Sequence, residues 1–441
     1  MKKDVEGLIL SKYIVSTAHD NAIIIFSTKL GKILKISTAV WECLCAGNSD
    51  NLPTEIKEYL ITNQILVSNK EDEFSEILNQ NEIINTDNTT LYEVIQPSAY
   101  CQMGCFYCGQ NHQNINLNEK NILNIVDAIE QKIEANNFTA LRIGWFGAEP
   151  LIGMNSMFEI TNRLKEICNK ANIIYSAKII TNGLKLTESV FHDLYNKLFV
   201  DFIEVTIDGI EDAHNGRRNL KNSDKGTFKT IIRNLENIIE LKAQGNYYVE
   251  ISIRCNVDKE NQTTVIPLIN FLKEKNILNN VNFYSAKIHE WGDKSNDEVI
   301  DFDYPSQEIF WFENLIENGK GVSLLPKRVY NVCLATNKNS SVYDAYGNIF
   351  KCTEVPYITN DDQSEFFLGK FNQGEISDLD FADKWSSNIK DGKSHCLQCN
   401  FFPVCGGACP KSWLDGNIPC PSFKFNMPER LRLYYDTIKK N

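Results

Sequence analysis

The sequence predicts an α/β protein built on a partial barrel, and three observations carry this prediction. From Leu91 onward, strand and helix patterns alternate over about 200 residues, which is typical of a parallel sheet with helices packed outside it. Two of the predicted strands alternate polar with apolar residues, so one face of each is expected to line a polar cavity. Ten cysteines occur at two kinds of spacing, three directly after the first strand of the alternating region and seven near the C-terminus.

Composition sets the broad class of the protein. The 441 residues, 43% of them hydrophobic, suffice for two or three globular domains with a large core. The 45 basic and 57 acidic side chains give a net charge of -12, which repels phosphate backbones and argues against a nucleic-acid partner. The longest apolar runs, such as Ala22 to Phe26, are far shorter than the roughly 20 residues of a membrane span, so we expect a cytoplasmic protein with no membrane partner.

Residues 1–90 are predicted to form a separate domain. Three strand-like runs, two helical patterns and an apolar tail follow one another: Lys12–Ser16, Ala22–Ser27, Gly31–Ser37, Thr38–Cys45, Leu52–Asn63 and Ile65–Val67. The polar stretch from Asn85 to Thr90 is expected to link this domain to the next one. Three strands and a helix pair predict a compact winged-helix-like unit.

Residues 91–290 are predicted to form the barrel. The predicted strands are Leu91–Pro97, Leu141–Phe146, Ile173–Thr181, Phe202–Asp208, Tyr247–Val257 and Val281–Ser285, with helical patterns near 119–135, 156–170, 187–198, 227–243 and 263–275. Between residues 251 and 257 the polar set is Ser252, Arg254 and Asn256, and in the strand before it the polar set is Glu204, Thr206 and Asp208. Six strands with a polar interior predict a partial (β/α)6 TIM-like barrel.

The regular alternation stops near residue 290. A bridging region, 291–330, is expected to lead into a C-terminal cysteine-rich domain, 331–441, that metal rather than a hydrophobic core organises. A short amphipathic helix from Pro428 to Lys440 is predicted to close the chain.

The first cysteine group is Cys101-Gln-Met-Gly-Cys105-Phe-Tyr-Cys108, in the loop after the first barrel strand. Because no secretion signal precedes them, the cysteines of this chain indicate metal ligands rather than disulfides. Three thiolates at Cys-x3-Cys-x2-Cys suit a cubane iron-sulfur cluster, which needs four ligands, and leave one iron open to a substrate or cofactor. A zinc site completed by His112, or three buried thiols, is the alternative.

This spacing, with the aromatic Tyr107 before the third cysteine, resembles the signature of the radical S-adenosylmethionine (SAM) superfamily. The resemblance implies a 4Fe-4S cluster whose open iron chelates the amino and carboxylate groups of SAM. It also implies an external electron donor of the flavodoxin or ferredoxin type, whose electron cleaves SAM to methionine and a 5'-deoxyadenosyl radical that abstracts hydrogen from the substrate.

Further motifs follow in the order that the resemblance requires. Phe146-Gly147-Ala148-Glu149-Pro150 resembles the Gly-Gly-Glu-Pro element that binds the cofactor's amino group; Ala148 departs from it, which the backbone tolerates if its φ is negative. Thr181-Asn182-Gly183, Thr206-Ile207-Asp208-Gly209 and Arg254-Cys255-Asn256-Val257 fall at later strand ends, although turn chemistry explains their glycines equally well. The implied cofactor contacts are Tyr107, Gly147, Ala148, Glu149, Thr181, Asn182, Thr206, Asp208, Arg254 and Asn256.

The second cysteine group comprises Cys333, Gly347-x4-Cys352, Cys396-x2-Cys399-x5-Cys405-x3-Cys409 and Cys420. It resembles the SPASM extension of radical enzymes that modify peptides and proteins, and with the barrel the resemblance covers roughly residues 91–421. It implies two auxiliary 4Fe-4S clusters, and so three clusters in all, with Cys333, Cys352 and Cys409 on the first and Cys396, Cys399, Cys405 and Cys420 on the second.

Two questions about the C-terminal cysteines stay open. Only three cysteines are assigned to the first auxiliary cluster. Its fourth iron is therefore either bound by a ligand other than cysteine or left open. A pair of zinc ribbons is the alternative to both clusters. The remaining thiols, Cys43, Cys45, Cys168 and Cys255, are expected to be ordinary buried residues.

The N-terminal module resembles the peptide-binding recognition element (RiPP recognition element) of enzymes that mature ribosomally made peptides. The resemblance implies a precursor peptide as partner, whose leader adds a strand to the edge of the sheet; a structural cap on the barrel is the alternative. The segment from Asp208 to Arg218 resembles a loop that meets the substrate in such maturases, so His214, Arg217 and Arg218 are predicted either to contact a peptide or to form a solvated face.

These features together predict a radical SAM oxidoreductase that installs a thioether or carbon-carbon crosslink on a precursor peptide, with an auxiliary cluster taking up the surplus electron. Thr353 stands where sulfatase-maturing relatives carry an aspartate, which argues against formylglycine formation. Epimerisation at a peptide Cα, with Cys255 as hydrogen donor, is one alternative, and a protein-oxidising maturase of the same superfamily is another. An alternative from another class is a non-catalytic zinc-ribbon interaction protein.

Overall fold

A computed structural model describes residues 7–86, 89–223, 225–289, 302–371 and 381–440. They divide into two compact units, the first from 1–87, 321–337 and 382–441 and the second from 88–320 and 338–381. Within the described residues, no helix is both long enough and apolar enough to cross a bilayer. The fourfold division at residues 90, 290 and 330 stays a prediction.

The first unit begins with short strands and helices. They are β1 (Leu8–Leu10), β2 (Ile14–His19), β3 (Ala22–Ser27), β4 (Lys32–Ser37), α1 (Thr38–Cys45), α2 (Thr54–Thr62), β5 (Leu66–Ser68) and α3 (Glu73–Thr86). β2, β3 and β4 form an antiparallel sheet, and β1 pairs with β5. α1 begins after Ser37 because its hydroxyl accepts a hydrogen bond from Val40 N. The small N-terminal β domain is confirmed, while β1 and α3 went unpredicted.

The second unit contains the barrel. Its elements are β6 (Thr90–Ile95), α4 (Glu119–Ala135), β7 (Ala140–Trp145), α5 (Met154–Ala171), β8 (Ile174–Thr181), α6 (Glu188–Asn196), β9 (Val200–Thr206), α7 (Glu211–Arg217), α8 (Phe228–Gln244), β10 (Glu250–Val257), α9 (Val265–Glu274), β11 (Asn282–Lys287) and α10 (Tyr304–Glu317). β6 to β11 are parallel and adjacent in chain order. The predicted partial α/β barrel is therefore confirmed.

Three further strands extend the sheet beyond β6. β12 (Val342–Tyr343) runs parallel to β6, and β13 (Asn348–Phe350) and β14 (Phe367–Lys370) continue it in antiparallel pairs. The segment that carries Cys352 thus begins as part of the barrel sheet.

The interior of the barrel is polar, as the alternating strands predict. On β10, Ile253 and Cys255 are fully buried on one face, while Arg254 and Asn256 line a cavity on the other. Glu204 and Thr206 of β9 line the same cavity. Parallel strands that are covered on both faces usually carry apolar residues throughout, so the polar face marks the interior that accepts a ligand.

The C-terminal helices are α11 (Phe381–Lys390), α12 (Phe402–Cys405), α13 (Pro410–Leu414) and α14 (Phe423–Lys440). α14 starts earlier than predicted and contains a kink at Asn426, just before Pro428. Packing on the two faces of β3 shows why the C-terminal helices belong to the same compact unit as the N-terminal strands. Its residues Ile24 and Phe26 pack in one cluster with Met427 and Leu431, whereas the alternate residues of β3 pack against α1 and α2.

Candidate active site

The first cysteine triplet lies in the loop that follows β6. Gly104 N donates a hydrogen bond to Asn219 O at 2.9 Å, and an isolated antiparallel bridge joins Met103 to Leu220. These contacts fasten the loop to the segment after α7. The triplet is therefore held at the C-terminal end of the parallel strands, where barrels carry their active sites.

One cavity brings the predicted cofactor site together. It has a volume of about 190 Å³ and is lined by all three cysteines of the triplet. Nine of the ten residues predicted to contact SAM also line it: Tyr107, Gly147, Ala148, Glu149, Thr181, Asn182, Thr206, Arg254 and Asn256. The tenth, Asp208, is fully buried and supports the lining from outside it. The contacts with SAM themselves stay a prediction.

Asp208 orders two of the lining residues. Its Oδ1 accepts a hydrogen bond from Asn256 N at 3.0 Å, and its Oδ2 accepts one from the Tyr107 hydroxyl at 2.6 Å. The Tyr107 oxygen in turn accepts from Asn256 Nδ2 at 3.0 Å and from Arg218 Nη1. Burial raises the pKa of Tyr107 well above its usual value, more than the Arg218 guanidinium lowers it, so the phenol stays a donor.

Glu149 fixes the loop after β7 to the end of β8. Its Oε1 accepts hydrogen bonds from Leu151 N at 3.1 Å and from the Thr181 hydroxyl at 2.7 Å, and its Oε2 accepts one from Asn182 N at 2.8 Å. Although these bonds favour the ionised form, burial raises the pKa of Glu149. With its carboxylate engaged in this way, the neighbouring backbone is what the loop offers to a ligand.

The two residues before Glu149 have different backbone conformations. Gly147 has φ +107°, and a Cβ added there would lie 2.8 Å from Gln96 Cβ, so only glycine fits. Ala148 is not among the described residues with positive φ. Ala148, which replaces the second glycine of the Gly-Gly pair, therefore lies at a position whose backbone accepts a methyl group.

The thiols of the triplet fit a metal-sulfur group. Burial raises the pKa of Cys101 to about 12 and also raises that of Cys105, so without a cation these thiols are neutral. A metal deprotonates its sulfur ligands outright. Asn182 Nδ2 at 3.7 Å and Met103 N at 3.4 Å donate to Cys101 Sγ, which is how second-shell groups support an anionic cluster.

His112 is poorly placed to complete a zinc site. Its Nδ1 lies 2.7 Å from Lys221 Nζ, and an ammonium group only donates, so Nδ1 accepts that hydrogen bond. In the neutral imidazole the proton is then on Nε2, which lies 4.0 Å from Cys108 Sγ. Both ring nitrogens of His112 are therefore engaged, which makes it a poor zinc ligand.

A second cavity of about 250 Å³ adjoins the first, with Tyr107, Arg254 and Asn256 among the residues that line both. Its other lining residues include Lys287, Ile288, His289, Glu354 and Ile358, none of which the sequence analysis selected. Together the two cavities reach the size of a small-molecule site. The polar alternation on β9 and β10 was the only sequence signal that pointed to this space.

In the charged segment after β9, the three predicted peptide contacts are buried and do not form a solvated face. His214 is fully buried; its Nδ1 accepts from Asp208 N at 3.2 Å, and burial lowers its pKa well below the usual value. Arg217 is also buried and binds both carboxylate oxygens of Asp258, at 3.1 and 2.8 Å. Of the three predicted contacts, Arg218 alone lines the first cavity.

Four of the C-terminal cysteines meet in the first unit. Cys396, Cys399, Cys405 and Cys420, which the resemblance assigns to the second auxiliary cluster, line one small cavity. Lys424 Nζ donates to Cys420 Sγ at 3.2 Å. Cys333 and Cys409 belong to the same unit, whereas Cys352 follows β13 in the other, so the first auxiliary cluster stays a prediction.

The remaining cysteines are not all buried. Cys168 and Cys255 are fully enclosed, whereas Cys43 is half-buried and Cys45 is exposed on α1. The expectation of burial is wrong for Cys45 because its helix packs against the sheet through other residues, among them Leu44.

Comparison with known proteins agrees with this geometry. Residues 95–256, which run from the last residue of β6 through most of β10 and contain the triplet, match the model of the Radical SAM superfamily. The chain is 24% identical over 449 residues to the radical SAM cyclopropyl synthase TigE of Paramaledivibacter caminithermalis, a match that covers 91% of this chain and 89% of the relative.

Solved structures show the same fold. Native anSMEcpe with bound AdoMet superposes with a TM-score of 0.57 at 20% identity, covering 80% of this chain and all of that one. The structure of native anSMEcpe with bound AdoMet and Cp18Cys peptide gives the same values. At this identity the likeness establishes the fold alone.

Proposed function

Since residues 95–256 belong to the radical SAM superfamily, the chain is a radical SAM enzyme, and we propose that it matures a ribosomally synthesised precursor peptide by closing a crosslink on it. The observation that carries this proposal is the cavity that unites the cysteine triplet with nine predicted cofactor contacts. The adjoining cavity leaves room for a substrate next to them. The relative along most of the chain is a cyclopropyl synthase, which also favours a bond-forming enzyme.

Different residues would hold the iron-sulfur cluster and bind SAM. Cys101, Cys105 and Cys108 would hold the cluster, which with SAM supplies the 5'-deoxyadenosyl radical. The backbone beside Gly147 would meet the amino group of SAM, and Thr206 the polar edge of the cofactor. The C-terminal cysteines would hold two auxiliary clusters, and an external flavodoxin- or ferredoxin-type protein would supply the electron.

The crosslink that closes is either a thioether or a carbon-carbon bond. Closing either a thioether or a carbon-carbon link removes two hydrogens from the peptide, one as an atom and one as a proton with an electron. A cyclopropane is a carbon-carbon ring, so the similarity to TigE favours the carbon-carbon option over the thioether. Epimerisation is disfavoured because Cys255 is fully buried on the strand face opposite Arg254 and Asn256.

The N-terminal sheet suits a leader peptide. Among the described strands, β4 pairs with β3 alone, so its other edge is open to an added strand. Backbone hydrogen bonds along such an edge supply affinity, and pockets for alternate side chains supply specificity. We place the leader along β4, from Lys32 to Ser37.

Anaerobic reconstitution with iron and sulfide tests the radical chemistry. A brown protein that releases 5'-deoxyadenosine on addition of dithionite and SAM supports the proposal. A colourless zinc protein that releases no nucleoside overturns it and favours the interaction module.

Mass spectrometry tests the product. The chain is co-expressed with a candidate precursor, a short cysteine-rich or aromatic open reading frame sought beside its gene, and the mass of the recovered peptide is measured. Loss of two hydrogen atoms per link supports crosslinking, whereas modified retention with unchanged mass indicates epimerisation instead.

A further inference from the structure

Glu204 is a buried carboxylate with one oxygen unused. It lies on β9, is only 6% exposed, and lines the cavity that contains the cysteine triplet. Its Oε2 accepts a hydrogen bond from the Tyr284 hydroxyl at 2.7 Å. Its Oε1 is buried and has no hydrogen-bond partner among the described residues.

Among the described residues, no hydrogen bond compensates for the burial of this oxygen. In the sheet it lies between Ile180 on β8 and Ser252 on β10, and neither hydrogen-bonds to it. The Arg254 guanidinium attracts Glu204 electrostatically, but its Nε donates to Asn256 Oδ1 at 2.8 Å and not to Glu204 Oε1. Burying a polar oxygen without a hydrogen-bond partner destabilises the fold, and an apolar residue at this position would avoid that cost. A group that is costly to the fold and lines a cavity points to a role in the reaction.

The two other carboxylates that line or support this cavity are already occupied. Glu149 accepts three hydrogen bonds through both of its oxygens. Asp208 accepts from Tyr107 and from Asn256 N and does not line the cavity. Of the carboxylates that line this cavity, Glu204 is therefore the one with an acceptor to spare.

We propose that Glu204 accepts the proton that leaves the precursor peptide when the crosslink closes. This inference rests on the proposed function. A peptide carbon first gives a hydrogen atom to the 5'-deoxyadenosyl radical, forming 5'-deoxyadenosine. That carbon then bonds to a second peptide atom that carries hydrogen; the hydrogen leaves as a proton to Glu204 Oε1, and the remaining electron passes to an oxidised iron-sulfur cluster.

Tyr284 is the positioning residue for this carboxylate. By donating to Oε2 it fixes the carboxylate on β9 and leaves Oε1 for the substrate. Burial raises the pKa of Tyr284, so its hydroxyl remains a donor and does not compete for the proton. The carboxylate is thus held on two rigid parallel strands, as a proton acceptor requires.

The variant Glu204→Gln separates the two halves of the reaction. It is compared with wild type and with Glu250→Gln, a control on the exposed start of β10, in anaerobic single-turnover reactions with reconstituted enzyme and a deuterated precursor. In Glu204→Gln we expect deuterium still to enter 5'-deoxyadenosine while crosslinked peptide per nucleoside falls by about 10²-fold, because general-base assistance contributes that much. Tyr284→Phe is expected to lower the same ratio by a smaller factor.

Iron content and precursor affinity, measured by fluorescence anisotropy, are expected to match wild type in Glu204→Gln. An unchanged ratio of product to nucleoside overturns the inference. So does a parallel loss of nucleoside, product and peptide affinity, which would make Glu204 a binding group. If wild type itself releases nucleoside but leaves every candidate precursor unmodified, the proposed function has failed instead.

Discussion

The hydroxyl of Tyr107 donates a hydrogen bond to Asp208 Oδ2 at 2.6 Å, which joins the cysteine loop after β6 to the strand end after β9. Asp208 is fully buried and Tyr107 is half-buried, and Arg218 and Asn256 both donate to the phenol oxygen. The aromatic residue next to Cys108 thus serves as the junction of a polar network. Such a network ties the cluster loop to the predicted cofactor site.

Tyr107→Phe should therefore loosen the site without dismantling the cluster. The ring remains, but Asp208 loses its donor, at a cost of about 1.5–3 kcal/mol for a hydrogen bond to a charged group. We expect unchanged iron content, a lower melting temperature and SAM affinity weaker by about tenfold. Tyr195→Phe, which removes an exposed hydroxyl, is the control. Wild-type SAM affinity in Tyr107→Phe would contradict the role given to the network.

The glycine-alanine pair after β7 gives a second prediction. Gly147→Ala should abolish SAM binding, because the added methyl group collides with Gln96 Cβ at 2.8 Å and φ is +107°. Ala148→Gly should leave SAM affinity nearly unchanged, since its φ is not positive. Equilibrium binding of SAM to the reconstituted variants measures both. Equal losses in the two variants would show that the backbone conformations do not control binding.

Cys105→Ala tests the metal assignment directly. Removing one of three sulfur ligands should prevent assembly of the cluster in the triplet, so 5'-deoxyadenosine release is expected to be lost while iron bound to the C-terminal cysteines remains. Cys168→Ala, at a buried position on α5 outside any cysteine group, is the matched control and should keep both iron and activity. Nucleoside release by Cys105→Ala would remove the basis of the proposed function.

The sequence predicted the position of the cavity better than its contents. The alternation of Ser252, Arg254 and Asn256 with apolar residues follows from the two-residue period of a strand, and Arg254 and Asn256 indeed line the cavity. The same period placed Glu204 on the polar face, but the hydrogen bond to its Oε2 comes from Tyr284, which lies 80 residues further on. The two-residue period predicts the strand face on which a side chain lies, but not the residue with which it hydrogen-bonds.

Long-range partners explain the other misses. His214 and Arg217 were assigned to a peptide contact or to solvent because the segment from 208 to 218 is rich in charge. Arg217 can be buried because it pairs with Asp258, which is 41 residues away in sequence. In the same way, β3 was predicted as a strand, but its pattern does not say that Ile24 packs with Met427. Composition and spacing contain no information on such pairs.

Asp344, in the turn between β12 and β13, gives a pH-dependent prediction. Burial raises its pKa to about 7, despite hydrogen bonds from Tyr346 N at 2.9 Å and Asn348 N at 2.8 Å. Because the folded state holds this proton more tightly than the unfolded chain does, the contribution of Asp344 to stability is full below about pH 4 and is lost as pH rises to about 7.

The variant Asp344→Asn has no charge to bury at any pH. Its melting temperature relative to wild type should therefore increase steadily between about pH 4 and pH 7 and then level off, whatever the fixed cost of the changed hydrogen bonds. Thermal melts of the two proteins in matched buffers give this difference. A constant difference across the range would show that the pKa of Asp344 is not raised in the fold.

The ion pair between Arg217 and Asp258 supplies the last prediction. Arg217 is 7% exposed and Asp258 is fully enclosed, so removing one partner leaves the other charge buried and uncompensated. Arg217→Met and Asp258→Leu are each expected to cost about 3–5 kcal/mol of stability. The double variant buries no charge and should cost less than the sum of the two, which a double-mutant cycle in urea measures.

Since Arg217 lies next to Arg218, which lines the cavity, both single variants should also weaken SAM binding, and the double variant should recover part of it. Additive losses would mean that the two side chains stabilise the fold independently of each other.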